Sequence, residues 1–405
     1  MTPPQTLRAP GMNTLYAFLF SSTTLSIVFT QPPNVSRNCK DVLFTLSATA
    51  QNQLAKPPPP DVFRDPKILQ EWASQPVVPN TVSGMQRIYG QYCEPTNIVP
   101  KRSDTIQLLV HGLTSSHDYF NGYQDEPTKD DPNSYAAFAL EQGYSTLAID
   151  RLGVLKSDHP DPLQVVQLAY QGELYHNLIQ QLRGGNRMTA NIRDNWTNVI
   201  WVGHSYGSIL GTYISAHHPN DIDAFVQTGI ALPDADQLVN LAPLIATYQT
   251  ASDWDPSRFP PSEYPPGYLT FNSQSLRTDY FYSVPAVDFD IRKPGQEIAR
   301  EGTTTWGENL GQGFANSTEY DRPVLVMTGV SDAVFCSKKR GGSSEADCEA
   351  EGVNRVGAMK TFYPAVLEER FETFLQPEAG HVMQMHFSAG QGFARIQGFL
   401  ERHGM

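Results

Sequence analysis

A strand, a tight serine-bearing turn and a helix follow one another without interruption between residues 199 and 214. The apolar run Val199-Ile200-Trp201-Val202 leads into Gly203-His204-Ser205-Tyr206-Gly207, and Ile209-Leu210-Gly211-Thr212-Tyr213-Ile214 leads away. A G-x-S-x-G turn between a strand and a helix holds its central residue in strained backbone geometry. The glycines keep side chains clear of neighbouring backbone where the turn is tightest. The Ser205 hydroxyl is therefore expected to project from the top of a sheet, at a helix N-terminus whose dipole favours a developing anion. The pentapeptide alone is common in unrelated chains, and the flanking strand and helix are what make it a constraint.

A serine hydroxyl is a weak nucleophile unless a base and an orienting acid accompany it. In folds that use this turn the chain order is serine, then Asp or Glu, then histidine. Downstream, the buried-strand pattern Pro323-Val324-Leu325-Val326-Met327-Thr328-Gly329 is followed by Asp332. The alternating strand Phe371-Glu372-Thr373-Phe374-Leu375-Gln376 is followed by Gly380-His381. Both residues fall just past the C-terminal end of a strand, where open parallel sheets gather their ligands. Ser205 is expected to attack, His381 to carry the proton and Asp332 to orient the imidazole. Rival acids fit less well: Asp321 precedes its strand, Glu372 lies within one, and Glu378 is too close to His381. His386 is the rival base, but it lacks the preceding glycine.

The strand Ile106-Gln107-Leu108-Leu109-Val110 runs into His111-Gly112-Leu113-Thr114. The backbone N–H of Leu113 and that of Tyr206 are the expected pair of donors for a tetrahedral oxyanion. His111, Gly112 and His204 are expected to shape the substrate site, as is His117. No metal-ligand spacing unites these histidines, and no cofactor is expected.

The serine turn, the His-Gly loop, the Asp after a late strand and the Gly-His near the end together resemble the α/β-hydrolases, over residues 40–405. Ala148-Ile149-Asp150-Arg151-Leu152-Gly153 resembles the Asp-Arg-x-Gly segment common in that superfamily. A cysteine soon after Asp332, and Gly380-His381 followed by Met385-His386-Phe387, are similar to a group of fungal secreted members. The resemblance implies an α/β-hydrolase fold with a mostly parallel central sheet flanked by helices and an inserted cap. Dehalogenase and epoxide-hydrolase chemistries would require aspartate where this turn carries Ser205.

Punctuation and periodicity agree with that order. Strands are expected at residues 42–50, 85–92, 106–110, 145–149, 199–202 and 224–227, with helices at 134–142 and 163–182 and after Ser205. Alternating strands and helices imply a mostly parallel sheet. Lys56-Pro57-Pro58-Pro59-Pro60 excludes regular helix or central strand there. Residues 31–231 and 321–405 form the expected core, and 232–320 interrupt it as a cap. The cap holds Trp254, Phe259, Tyr264, Tyr268, Phe271, Tyr280, Phe281, Tyr282, Phe289 and Trp306. Most should build the cap's own core, with two or three touching substrate.

Residues 1–30 read as a signal peptide, because the apolar stretch after Leu15 is too short and too interrupted for a membrane span. No second long apolar run follows, so no stable membrane span is expected in the mature chain. Of the four cysteines, the short separation of Cys336 and Cys348 favours a local bridge, leaving Cys39 to pair with Cys93. Asn34, Asn195 and Asn316 begin glycosylation sequons. These features favour secretion or the secretory lumen. A net charge of −13 argues against a nucleic-acid or anionic-membrane partner. The expected activity is cofactor-free hydrolysis of a neutral, fairly hydrophobic ester or lactone. Acyl transfer or cyclisation through the same residues, and a catalytically silent binding protein on the same fold, are the alternatives. Oligomeric state is not encoded in any motif.

Overall fold

The computed structural model describes residues 38–185, 190–233, 237–283, 288–310, 313–336, 348 and 354–405. The expected signal peptide, the Asn34 sequon and the residues between Cys336 and Cys348 lie outside the described residues. Eight strands form the main sheet: β1 (Asn38–Gln53), β2 (Pro79–Glu94), β3 (Thr105–Val110), β4 (Ser145–Ile149), β5 (Asn198–His204), β6 (Ala224–Thr228), β7 (Val324–Gly329) and β8 (Phe371–Gln376). Their spatial order is β1-β2-β4-β3-β5-β6-β7-β8. β1 and β2 run antiparallel, β2 meets β4 antiparallel, and every other pairing is parallel. This is the α/β-hydrolase sheet that the resemblance implies.

The period of two along each strand divides the core between the sheet's faces. Ile106, Leu108, Val199, Trp201, Val324 and Val326 belong to one cluster, together with Leu174 and Leu178 of α3 (Leu168–Leu182) and Leu210 and Ile214 of α4 (Tyr206–His217). Their neighbours Leu109, Ile200, Val202, Leu325 and Met327 join the other, with Ala136 of α2 (Tyr135–Glu141) and Phe393, Ile396 and Phe399 of α5 (Ala389–Arg402). The central strands β3, β5 and β7 are buried on both faces because both are covered, whereas β1 alternates buried and exposed residues. Each such side chain contributes about 1.5–3 kcal/mol by leaving water.

Helix boundaries depart from the sequence pattern in two places. α3 starts at Leu168 rather than at residue 163. The Asp161 carboxylate captures the N–H groups of Leu163 and Gln164 in a separate turn, and Gln167 is extended. After the prolines a short helix, α1 (Pro66–Ala73), forms where none was expected. Pro66 sits in its first turn, where no intrahelical N–H is needed, and Asp65 accepts from Lys67 N at 2.8 Å.

The segment between β6 and β7 carries a second, three-stranded antiparallel sheet, Tyr248–Thr250, Tyr268–Phe271 and Thr304–Thr305. Phe259, Tyr264 and Tyr268 pack among themselves with Ala251. Cys39 is bonded to Cys93 across the β1–β2 ladder, where the two are direct partners, and Cys336 is bonded to Cys348. The sequon residues Asn195 and Asn316 are exposed. No described helix is long and apolar enough to cross a membrane.

Candidate active site

β5 ends at His204, α4 begins at Tyr206, and Ser205 between them has φ +53° and ψ −117°. Its N–H donates to the Thr228 carbonyl at 2.9 Å, which fixes the turn against β6. The turn is tight enough that glycine is required on both sides. A Cβ at Gly203 would lie 2.6 Å from the Gly207 backbone, and one at Gly207 would overlap the Val110 carbonyl. Neither clash is with a flexible side chain. Gly207→Ala is therefore expected to cost about 3 kcal/mol or more and to lower soluble yield and Tm sharply. A thermal melt within a degree or two of the parent would refute that packing.

Asp332 and His381 come from two loops that are fastened together. Val330 N donates to Gln376 O and Ser331 N to Ala379 O, each at 2.9 Å. A Cβ on Gly329 would overlap the carbonyls of Ala379 and Gly380. The loops deliver His381 Nδ1 to within 3.0 Å of Asp332 Oδ2. The same oxygen accepts the Thr328 hydroxyl at 2.5 Å, and Oδ1 accepts the N–H groups of Val334 and Phe335 at 2.8 and 3.1 Å. Burial would raise this carboxyl's pKa. The His381 ring and the three other donors outweigh burial and hold it below the ordinary carboxylate value. An ionised Asp332 fixes the proton on His381 Nδ1 and leaves Nε2 as an acceptor.

The competitors for these roles are bonded elsewhere or exposed. His386 is buried between the Gly380 N–H and the carbonyls of Val382 and Tyr282, and burial pushes its pKa down to about 4. Glu372 pairs with Arg395 and Arg402 at 2.8 and 2.6 Å, while Asp321 and Glu378 are exposed.

The His111–Thr114 loop is held from beneath by Arg151, the arginine of the Asp-Arg-x-Gly segment. Arg151 Nη2 donates to Gly112 O at 3.2 Å, its N–H donates to His111 Nε2 at 3.1 Å, and its guanidinium pairs with buried Glu308. It also lies 4.9 Å from the Tyr206 ring. From above, Arg277 Nη2 donates to the carbonyl and hydroxyl of Thr114, both at 3.1 Å. A Cβ on Gly112 would come within 2.9 Å of Ser205 Cβ, so the loop touches the serine closely.

One expectation needs correcting here. His111 does not line the cavity. It is fully buried, bonded through both ring nitrogens, and lowered to about pKa 3 by burial and by Arg151, so it braces the loop from inside. His117 likewise pairs with Asp150 at 2.8 Å and faces a separate open groove. Gly112, Leu113 and His204 do line the cavity, while the backbone of Tyr206 opens α4 beneath it. His204 stacks on Tyr119 at 4.3 Å and stays neutral, because burial and then the His381 ring lower its pKa well below normal.

The cavity of about 150 Å³ contains Ser205 and His381. Leu241, Leu244, Tyr248, Phe271 and Phe281, all from the segment between β6 and β7, supply much of its apolar wall. Two of the ten aromatic residues singled out in that segment, Phe271 and Phe281, therefore reach the site. Sequence reasoning missed Ser115, Tyr119, Tyr123 and Glu297, which also line it. Ser115 directly follows the His111–Thr114 loop, whereas Tyr119, Tyr123 and Glu297 sit in no motif and Glu297 arrives through packing at long sequence separation.

The Cys336–Cys348 bridge abuts the Asp332 turn: Cys336 N donates to Asp332 O and Cys348 N to Val330 O, both at 2.9 Å. Replacing both cysteines with serine is expected to cost about 3 kcal/mol in the chain-entropy account. An unchanged denaturant midpoint would contradict it.

An eight-stranded α/β sheet with a serine elbow, a buried His–Asp pair and an inserted segment that walls the cavity defines a hydrolase-like architecture. The family comparison agrees: the profile described as "Alpha/beta hydrolase family" matches residues 107–396, more than half of the chain. The chain belongs to the alpha/beta hydrolase family. Among solved structures it is similar to a thermophilic esterase from Thermogutta terrifontis (14% identity, 80% of this chain and 96% of that one, TM-score 0.47). It is also similar to an epoxide hydrolase from Vigna radiata (15%, 78% and 95%, TM-score 0.47). A proline iminopeptidase from Mycobacterium smegmatis is similar to a like degree (14%, 79% and 96%, TM-score 0.48). No curated protein matches the chain.

Proposed function

We propose that this protein is a serine hydrolase that cleaves a carboxylic ester or lactone through an acyl-enzyme on Ser205. The observation that carries this reading is the 3.0 Å contact between His381 and a buried Asp332, with His381 and Ser205 in one cavity. In this reading Ser205 Oγ adds to the substrate carbonyl while His381 Nε2 takes its proton. The imidazolium, stabilised by Asp332, then protonates the departing alcohol. Water then adds to the acyl carbonyl as His381 Nε2 takes its proton, and collapse returns that proton to Ser205 Oγ as the Oγ–acyl bond breaks and the acid is released. The backbone N–H groups of Leu113 and Tyr206 receive the oxyanion, a contribution of about 3–4 kcal/mol per donor in comparable enzymes.

Residues 232–320 act as the cap in this account, with 31–231 and 321–405 as the core that carries the chemistry. The apolar wall of Leu244, Phe271 and Phe281 suits a largely hydrophobic substrate. Burying an unpaired charge there would cost several kcal/mol. Two disulfides and exposed sequons support a place in the secretory pathway or outside the cell.

A series of p-nitrophenyl esters of graded chain length tests the reaction class. Medium acyl chains are expected to exceed acetate in kcat/KM, with free acid as the main product. Adding millimolar alcohol should change the product mixture only modestly. Predominant ester product in mostly aqueous buffer would replace hydrolysis with acyl transfer.

A further inference from the structure

The cavity wall holds polar groups that ester cleavage does not use. Ser115 and Tyr123 both line the cavity, and the Ser115 Oγ and Tyr123 hydroxyl are buried with no hydrogen-bond partner among the described residues. Buried hydroxyls are normally satisfied, so two orphans on residues that wall one cavity point to a ligand. Glu297 lines the same cavity and is itself almost fully buried. Its Oε1 accepts from Arg277 Nε at 2.9 Å and its Oε2 from the Tyr282 hydroxyl at 3.2 Å. A carboxylate offers about four acceptor positions, so further capacity remains.

The backbone at Tyr123 is a second, independent observation. Tyr123 has φ +63°, directly after Gly122 at φ +68°. Two consecutive left-handed residues are unusual, and for a bulky aromatic the conformation is a genuine outlier. Strain of this kind persists only where the surroundings enforce it, and it concentrates at ligand sites. The enforcement is visible. Tyr123 N donates to Asp118 O at 2.8 Å, and Lys293 Nζ clamps both Gly122 O (2.7 Å) and Asp131 (2.9 Å). The turn is locked in the conformation that sets the Tyr123 side chain into the cavity. Burial, and then the negative field of Glu297, keep the phenol protonated at all ordinary pH, so it stays a donor.

We infer that Ser115, Tyr123 and Glu297 form a polar subsite that selects an ester bearing a neutral hydroxyl on its otherwise apolar chain. This deepens the ester-hydrolase reading above and rests on it. A substrate hydroxyl both donates and accepts. It would donate to Glu297 and accept from both Tyr123 and Ser115 through its two lone pairs, satisfying both orphans. A cationic amine fits less well. Arg277 and Arg258 already balance Glu297 and Glu301, Arg277 pairing with both carboxylates and Arg258 donating to the Glu301 carbonyl. An added positive charge would have no counter-ion.

The test compares p-nitrophenyl hexanoate with its hydroxyhexanoates substituted at successive carbons, and with an amino analogue. At least one hydroxyl position is expected to raise kcat/KM about 100-fold over hexanoate, since a site built to bond a hydroxyl discriminates strongly against its absence. Tyr123→Phe and Ser115→Ala should each shrink that ratio, which is read within one variant and so is insensitive to loss of folded protein. Equal or lower rates for every hydroxy ester, ratios unmoved in both variants, or a preference for the amino ester would each overturn the inference. Fluorophosphonate labelling of Ser205 in the same preparations separates the two levels. Labelled protein without hydroxyl preference sinks the subsite alone, whereas unlabelled protein sinks the hydrolase reading.

Discussion

Ser205→Ala is expected to lower kcat on an activated ester by about 10⁶-fold while leaving the fold unchanged. Removing the nucleophile leaves only binding and the oxyanion donors, and comparable serine enzymes then lose nearly all of their turnover. The fold should survive because the Ser205 side chain caps no helix, and the contacts that fix the turn are made by its backbone to Thr228, Ser208 and Ile209. Alanine keeps the same positive φ, so the strain is neither added nor relieved. KM should change little, since the cavity wall is untouched. A variant with the parent's Tm and a tenth of its activity would show that another residue attacks.

Asp332→Asn has the second largest expected effect, about 10⁴-fold in kcat, by analogy with the same replacement in a comparable triad. Four donors converge on the two oxygens of Asp332: His381 Nδ1–H, the Thr328 hydroxyl and the N–H groups of Val334 and Phe335. An amide has one accepting oxygen and brings two N–H donors of its own. Either it loses the turn that Val334 and Phe335 close, or it faces His381 with a donor and selects the wrong tautomer. The acid side of the stability profile checks the charge. Because the folded carboxyl titrates below its unfolded value of about 3.9, its contribution is present above that pH. It is lost as pH falls through the lower, folded value. The Tm difference between parent and variant should therefore be constant near neutrality and shrink below about pH 4. A difference that grows in acid would reverse the sign of the shift.

Much of this site is legible in the sequence because its parts are local. The strand before Ser205 and the helix after it are contiguous, and the turns after β7 and β8 carry Asp332 and His381 within five residues of each strand end. The supports of those parts are not local. Arg151 meets Glu308 across 157 positions, and Arg277 reaches Thr114 across 163. No periodicity or spacing joins such residues, so neither pairing could be read. His111 misled for the same reason. Its position beside Gly112 suggests the pocket, and only the Arg151 N–H, delivered from the end of β4, shows that its ring points inward. α5 escaped because Gly390, Gly392 and Gly398 interrupt its pattern, each costing about 1 kcal/mol of helix propensity. Gly392 is there because a Cβ would overlap the Gln376 side chain. Propensity lost locally is recovered by packing Phe393, Ile396 and Phe399 on the sheet.

The segment between β6 and β7 divides along the same line. Its aromatic richness is plain in the sequence, yet Phe259, Tyr264 and Tyr268 turn into a small core of their own while Phe271 and Phe281 reach the cavity. Tyr268 and Phe271 share a four-residue strand, too short for alternation to assign a face, and Phe259, Tyr264 and Phe281 lie outside the strands, so only the fold decides between them.

The central claim, that Ser205 is activated by His381 and Asp332, is tested most directly by a fluorophosphonate followed by intact mass and peptide mapping. The account predicts one adduct per chain, on the peptide containing Ser205, absent in Ser205→Ala and formed far more slowly in Asp332→Asn. Folded protein that stays unmodified, or that carries its adduct on another residue, would contradict it.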